Sequence, residues 1–192
     1  SAAATVTVDF DISPSITGGG GSVTGGGGHA PGSNAVFEAH ANPGYAFAGW
    51  RVDGVPAGTG PVLEIVAAEG MAIEAEFVLQ LLITEIQSST PASGADDFWE
   101  LTNIGQQVVD LSGWKWDDDS RNPGDAAAVA IPTGTVIAPG ESIVFTPMAA
   151  TAFRALWGIA PTVQIVTGGP GLGGNDSISL FDPDGTEVAY LS

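Results

Sequence analysis

Phe98-Trp99-Glu100-Leu101-Thr102-Asn103 decides the fold class. Aromatic, leucine and threonine side chains in so short a run suit a pleated strand, with Trp99 and Glu100 on opposite faces. Working outward, seven further runs of the same kind are predicted: Leu81 to Ile86, Val108 to Trp116, Ala128 to Ile131, Ser142 to Thr146, Val163 to Val166, Ser177 to Phe181 and Glu187 to Leu191. Gly, Pro and Asp turns separate them at the spacing of a β-sandwich. One helix is predicted before Val163. Ala149, Ala150, Ala152 and Ala155 favour it, and Phe153, Leu156 and Trp157 form an i, i+3, i+4 stripe. Gly158 and Pro161 end it.

Towards the N-terminus the same two-residue period returns. Val6, Val8, Phe10 and Ile12 alternate with Thr5, Thr7, Asp9 and Asp11, which predicts one buried and one wet face. Ala35, Phe37, Ala39 and Ala41 repeat it, as do Met71, Ile73, Ala75 and Phe77, where Glu74 and Glu76 take the solvent side. Turn clusters divide these segments at Gly18 to Gly21, Gly25 to Gly28, Asn42-Pro43-Gly44, Asp53-Gly54 and Gly58 to Pro61. The two glycine runs flank Ser22-Val23-Thr24, which reads either as a flexible linker or as a short strand framed by two loops.

The 192 residues suffice for one large core or two small ones. Against 22 Asp and Glu stand 4 Lys and Arg, a net charge of -18, with -7 on residues 1–78 and -11 on the remainder. That field repels phosphate backbones and anionic headgroups, so the expected partners include no nucleic acid. No run of about 18 apolar residues exists, so no membrane insertion by a helix is expected. No charged start followed by an apolar run marks a signal peptide, and Ser1 to Ala4 reads as a linker. The expectation is a piece of a longer exported protein, covalently linked to a catalytic or surface domain. The absence of cysteine removes disulfides, zinc–thiolate sites and a thiol nucleophile. With only His29 and His40, most triad chemistry is excluded as well.

Two ordered sets of motifs resemble known families. Gly20-Gly21-Ser22-Val23, then Ala39-His40-Ala41-Asn42-Pro43-Gly44-Tyr45-Ala46-Phe47-Ala48-Gly49-Trp50, then Ala75-Glu76-Phe77 resemble the divergent bacterial repeat domains of the internalin B repeat type. The chain departs from that pattern in its second glycine run. Leu82-Ile83-Thr84-Glu85-Ile86, Asp97 to Asn103, Val109-Asp110-Leu111-Ser112-Gly113-Trp114, Ile131-Pro132-Thr133-Gly134-Thr135, Ile137 to Glu141 and Ser177 to Gly185 resemble, in that order, the bacterial lamin tail domain. Here the departure is the glycine-rich loop Gly168 to Gly174. The resemblances imply a mainly β chain: a small β-grasp-like repeat module over 1–78, then an immunoglobulin-like β-sandwich over 79–192. They also imply a spacer, adhesive or targeting role in a secreted or cell-surface bacterial protein rather than an enzyme.

Each chemically suggestive group also has a packing or hydration explanation. Asp96-Asp97, Glu100 and Asp117-Asp118-Asp119 are the carboxylates a glycosidase would need, but adjacent acids in turns are ordinarily solvated, and the lamin tail resemblance makes Glu100 a structural strand residue. Hard cations such as Ca²⁺ want several oxygen ligands, and Asp117, Asp118 and Asp119 are the best-placed metal ligands; no cofactor is required. Asp182-Pro183-Asp184-Gly185 reads as a hairpin turn. Gly168 to Gly174 has neither a following Lys nor a following helix, so it is not a phosphate cradle. Lys115 is expected to point away from Trp114 and Trp116, outward. Among the aromatics Trp50, Trp99, Trp114 and Trp116 have packing explanations, which leaves Trp157 at the helix end and Tyr45 in a turn as candidate ligand-binding residues. Their partner would be a polysaccharide or another cell-surface component, met by stacking on sugar rings. The alternative is a purely structural or protein-interaction unit with no small ligand.

Overall fold

In Asn34–Ala41 every inward residue as far as Ala39 is buried while its neighbours are exposed, so the two-residue period forms a strand with one dry face. Ala41 itself is exposed. A computed structural model describes residues 8–88, 97–174 and 176–192. The chain divides into two compact units, 1–79 and 80–192.

The first unit contains β1 (Phe10–Ile12), β2 (Ser15–Thr17), β3 (Gly21–Thr24), β4 (Gly27–His29), β5 (Asn34–Ala41), β6 (Tyr45–Val52), β7 (Val55–Gly58), β8 (Val62–Val66) and β9 (Ile73–Leu79). One sheet runs β2-β9-β6-β7, a second β3-β5-β8, and β1 pairs with β4. Phe37, Trp50, Ile73, Ala75 and Phe77 form the core, and Phe47 contacts Trp50 and Phe77 at ring-centre distances of 5.2 and 5.5 Å.

The glycine runs belong to this fold and do not form a linker. Gly18 has φ +78°, and a Cβ there would lie 1.8 Å from the Phe77 carbonyl oxygen. At Gly25, φ +94°, a Cβ would lie 2.0 Å from that of Val36. Only glycine permits backbone to approach backbone this closely in a left-handed conformation. The first strand is shorter than its sequence pattern suggests: it starts at Phe10, Val8 is 73% exposed, and Val6 lies outside the described residues. Gly27–His29 satisfies its backbone by pairing with β1, so the second glycine run enters a strand.

The second unit contains β10 (Leu81–Gln87), β11 (Phe98–Asn103), β12 (Val109–Asp110), β13 (Lys115–Asp117), β14 (Val129–Ala130), β15 (Val136–Ile137), β16 (Ser142–Thr146), α1 (Ala150–Trp157), β17 (Gln164–Thr167), β18 (Ile178–Phe181) and β19 (Glu187–Leu191). Two sheets, β10-β11-β16-β17 and β14-β13-β18-β19, enclose a core of Leu81, Trp99, Leu101, Trp116, Phe145 and Leu180, among others, and β12 pairs with β15. This is a mainly β, immunoglobulin-like sandwich. Trp99 stacks flat on Phe145 at 4.0 Å and meets Trp116 at 5.4 Å.

β16 and β17 are parallel, and α1 lies within the crossover that a parallel pair needs. Helix α1 buries Phe153 against Phe98 and Val144. Gly158, in the left-handed conformation, ends the helix, and the Arg154 guanidinium donates to the carbonyls of Ala160 and Val163.

The predicted strand Val108 to Trp116 is two strands. Leu111 to Trp114 forms a turn between them, closed by the Trp114 amide on the Leu111 carbonyl at 3.1 Å with Gly113 at φ +80°. Asp110 Oδ1 accepts the Ser112 amide and supports that turn. Trp114 and Trp116 are both buried nonetheless.

Candidate functional site

Trp157 is the last residue of α1 and is 42% exposed, whereas Trp50, Trp99, Trp114 and Trp116 are each at most 5% exposed. Its ring meets Phe98 edge-on at 5.3 Å and lies 6.2 Å from Phe153. Leu156 beside it is 57% exposed, so the end of α1 presents apolar surface seated on buried aromatics. Phe98 is the residue that strand periodicity alone does not connect to Trp157. It sits on the face of its sheet that α1 covers.

Tyr45 opens β6 instead of occupying a turn, and it is half-buried. A Cβ at Gly20 would lie 2.1 Å from its ring, so the glycine backbone lies directly against the phenol. Tyr45 and Trp157 belong to different units, and each is described by its own surroundings.

The candidate carboxylates have different fates. Asp97 is fully buried, its side chain accepting the Leu172 amide at 2.7 Å and its carbonyl accepting the Thr146 hydroxyl at 2.8 Å. Glu100 accepts from Thr84 Oγ1 at 2.5 Å and faces a hydroxyl row of Thr84, Thr102 and Ser142. Asp96 lies outside the described residues. Asp182 accepts the Thr186 amide inside a hairpin turn with Gly185 at φ +82°, joining β18 to β19. Lys115 is exposed. His29 contacts the Gly25 carbonyl and tilts against Phe37, while His40 is exposed beside Glu38.

At the end of β13, Asp117 is 1% exposed, Asp118 half-buried and Asp119 exposed. One carboxylate oxygen from each lies within 4.8 Å of the others. Asp117 Oδ1 accepts the amides of Asp119 and Ser120, each at 3.0 Å, and the Asp118 carbonyl accepts the Ser177 amide at 2.9 Å. Burial pushes the Asp118 carboxyl above its ordinary pKa, and the charges of Asp176, Asp119 and Asp117 add to the effect against an opposing bond from its own backbone. Asp119 is raised foremost by the adjacent Asp117 carboxylate, with desolvation, Asp125 and Asp176 contributing less. Asp176 is the neighbouring charge that sequence inspection misses. It stands 57 positions from Asp119 and arrives through the β13–β18 pairing, in which Asp117 faces Ser179.

Together these features define a two-module β protein whose larger unit is an immunoglobulin-like sandwich. The chain belongs to the lamin tail domain family: that family's model matches residues 78–192. Before it, residues 15–79 match the divergent InlB B-repeat domain. Both are families of non-catalytic repeat or immunoglobulin-like domains. No curated protein matches the chain. Among solved structures it is similar to a DUF4876 family protein from Bacteroides thetaiotaomicron, with 13% identity and a TM-score of 0.35 over 91% of this chain. The chain spans 66% of the length of that structure. Among the described residues no helix is long and apolar enough to cross a membrane.

Proposed function

We infer that this chain is a non-catalytic accessory region of an exported bacterial protein, one that positions or targets a covalently linked partner domain by engaging polysaccharide at the cell surface. The observation that carries the reading is the contrast among the five tryptophans: four are buried and Trp157 offers its indole to solvent from a rigid aromatic base. An indole face stacks on the apolar face of a pyranose ring as aromatic rings stack on one another, and a base that is already ordered lowers the entropy lost on binding. The tandem of two non-catalytic families supports the accessory role.

Retention on insoluble polysaccharides tests the reading. The wild-type chain is expected to be retained on at least one glycan, and Trp157→Ala to elute with the void while keeping its near-ultraviolet circular dichroism. Equal retention of wild type and variant removes Trp157 from the site. Failure of the wild type on every glycan favours the second reading, a structural or protein-interaction unit without a small ligand.

A further inference from the structure

The loop after β13 concentrates negative charge in a way that solvation does not explain. Asp117 is 1% exposed, and its Oδ1 is already used by two backbone amides. Its Oδ2 is also removed from solvent and accepts no hydrogen bond from any described residue. A buried carboxylate oxygen without a donor is strongly unfavourable, and native structures rarely leave one so. The neighbours of this side chain are more carboxylates: one oxygen from each of Asp117, Asp118 and Asp119 lies within 4.8 Å of the others. Asp176 adds a fourth charge that acts on Asp118 and Asp119.

The cations nearest in sequence do not relieve this: Lys115 is exposed and forms no ion pair with these carboxylates among the described residues, and Arg121 is engaged elsewhere. Arg121 donates from Nε and Nη2 to the two carboxylate oxygens of Glu187 and covers the Tyr190 ring at 4.3 Å. Among the described residues no lysine, arginine or histidine forms an ion pair with Asp117, Asp118, Asp119 or Asp176.

We propose that Asp117, Asp118 and Asp119 form a Ca²⁺ site in which the orphan Oδ2 of Asp117 is a ligand, with Asp176 adding negative charge nearby. All the donors are hard oxygens, which excludes the nitrogen and sulfur sets preferred by zinc and copper. Ca²⁺ accepts six to eight oxygens in irregular geometry, so carboxylates from consecutive residues and nearby loop carbonyls can complete its shell, whereas Mg²⁺ demands a near-ideal octahedron. The hydrogen bond from Ser177 to the Asp118 carbonyl fixes the loop beside β18, which limits how much ordering remains for binding to impose. The proposal is independent of the reading of Trp157.

Trp116 precedes Asp117 and provides the readout. With the full 192-residue chain, excitation of tryptophan is expected to sensitise emission from added Tb³⁺, and Ca²⁺ to displace it with a midpoint of about 0.1–1 mM, the range of extracellular modules. Ca²⁺ at about 10 mM should raise Tm, the stabilisation growing with the logarithm of its concentration above Kd, and Mg²⁺ at equal ionic strength should not. Asp117→Asn keeps Oδ1 but replaces Oδ2 with an amide nitrogen, and is expected to weaken binding by at least about tenfold and abolish the Tm shift. Should that variant fail to fold, Asp118→Asn combined with Asp119→Asn, at half-buried and exposed positions, gives the same test. The proposal is overturned if no saturable, Ca²⁺-displaced emission appears, if the variants bind as the wild type does, or if Mg²⁺ raises Tm equally, which would make the effect screening of the -18 charge alone.

Discussion

The carboxylate of Asp97 accepts the backbone amide of Leu172 at 2.7 Å, across 75 residues of chain. Both residues are buried, at 0% and 1% exposure, so this bond ties the glycine-rich loop before β18 to the start of β11 in the absence of water. A charge-assisted acceptor shielded in this way is worth more than a surface bond. Asp97→Ala would leave the Leu172 amide without this acceptor and is expected to lower stability by about 1–3 kcal/mol. Asp97→Asn retains an acceptor oxygen and should lose less. Urea titration checks both, read as a shift in midpoint at constant slope.

Trp99 illustrates a different balance. Its ring stacks on Phe145 at 4.0 Å, but its buried Nε1 has no hydrogen-bond acceptor among the described residues. Trp99→Ala empties a large volume and is expected to cost about 3–5 kcal/mol. Trp99→Phe keeps a ring on Phe145 and deletes the unsatisfied donor, recovering part of a penalty of about 1–3 kcal/mol. The expected cost of the phenylalanine variant is therefore less than half that of alanine, measured on the same urea curves.

These residues also show why some of the structure is legible in the sequence and some is not. Trp99 to Asn103 and Ala35 to Ala39 announce themselves because burial of one strand face imposes a two-residue period on side-chain type. Gly27–His29 pairs through backbone groups, which leave no such pattern, so β4 is invisible until its partner β1 is known. The turn at Leu111 to Trp114 is hidden because its apolar ends, Leu111 and Trp114, are buried much as strand residues would be. The metal candidates are half legible: three adjacent aspartates are obvious, but an acidic run reads as solvated, and only the fold buries Asp117 and brings the charge of Asp176 near them from just before β18, the strand neighbouring β13. The helical stripe predicts burial of Phe153, Leu156 and Trp157 alike, yet only Phe153 is buried; the exposure of the other two, and the contact of Trp157 with Phe98, depend on which sheet face α1 covers.

Glu187 is held below its ordinary carboxyl pKa of 4.5, mainly by the Arg121 hydrogen bonds, against the opposing effect of burial, with Ser179 and the Arg121 charge adding less. A carboxyl whose pKa is lower in the folded state stabilises the protein above the unfolded value, and this contribution disappears as pH falls through the folded value. Glu187→Gln is accordingly expected to lower Tm at pH 7, with the difference from wild type vanishing well below pH 4.5. Because the Arg121 side chain is 60% exposed, about 1 M salt should also shrink the difference. Thermal melts of the two proteins across pH and salt supply the check.

Gly18 and Gly19 separate backbone conformation from close approach. Both have positive φ, +78° and +68°, so an alanine at either position carries the left-handed penalty of about 1–2 kcal/mol. They differ in what a Cβ would meet. At Gly19 nothing lies within 4 Å, whereas at Gly18 the Phe77 carbonyl oxygen stands at 1.8 Å, in the strand that pairs with β2 on one side and β6 on the other. Phe77 is fully buried, so β9 cannot withdraw without disturbing the core around Phe47 and Trp50. Gly18→Ala is therefore expected to cost well over the backbone term, in excess of about 3 kcal/mol, and Gly19→Ala about that term alone. Hydrogen exchange of the β9 amides resolves the two: protection should collapse in Gly18→Ala and fall only slightly in Gly19→Ala. Equal loss in both would mean that β9 yields to the added methyl without disturbing the core.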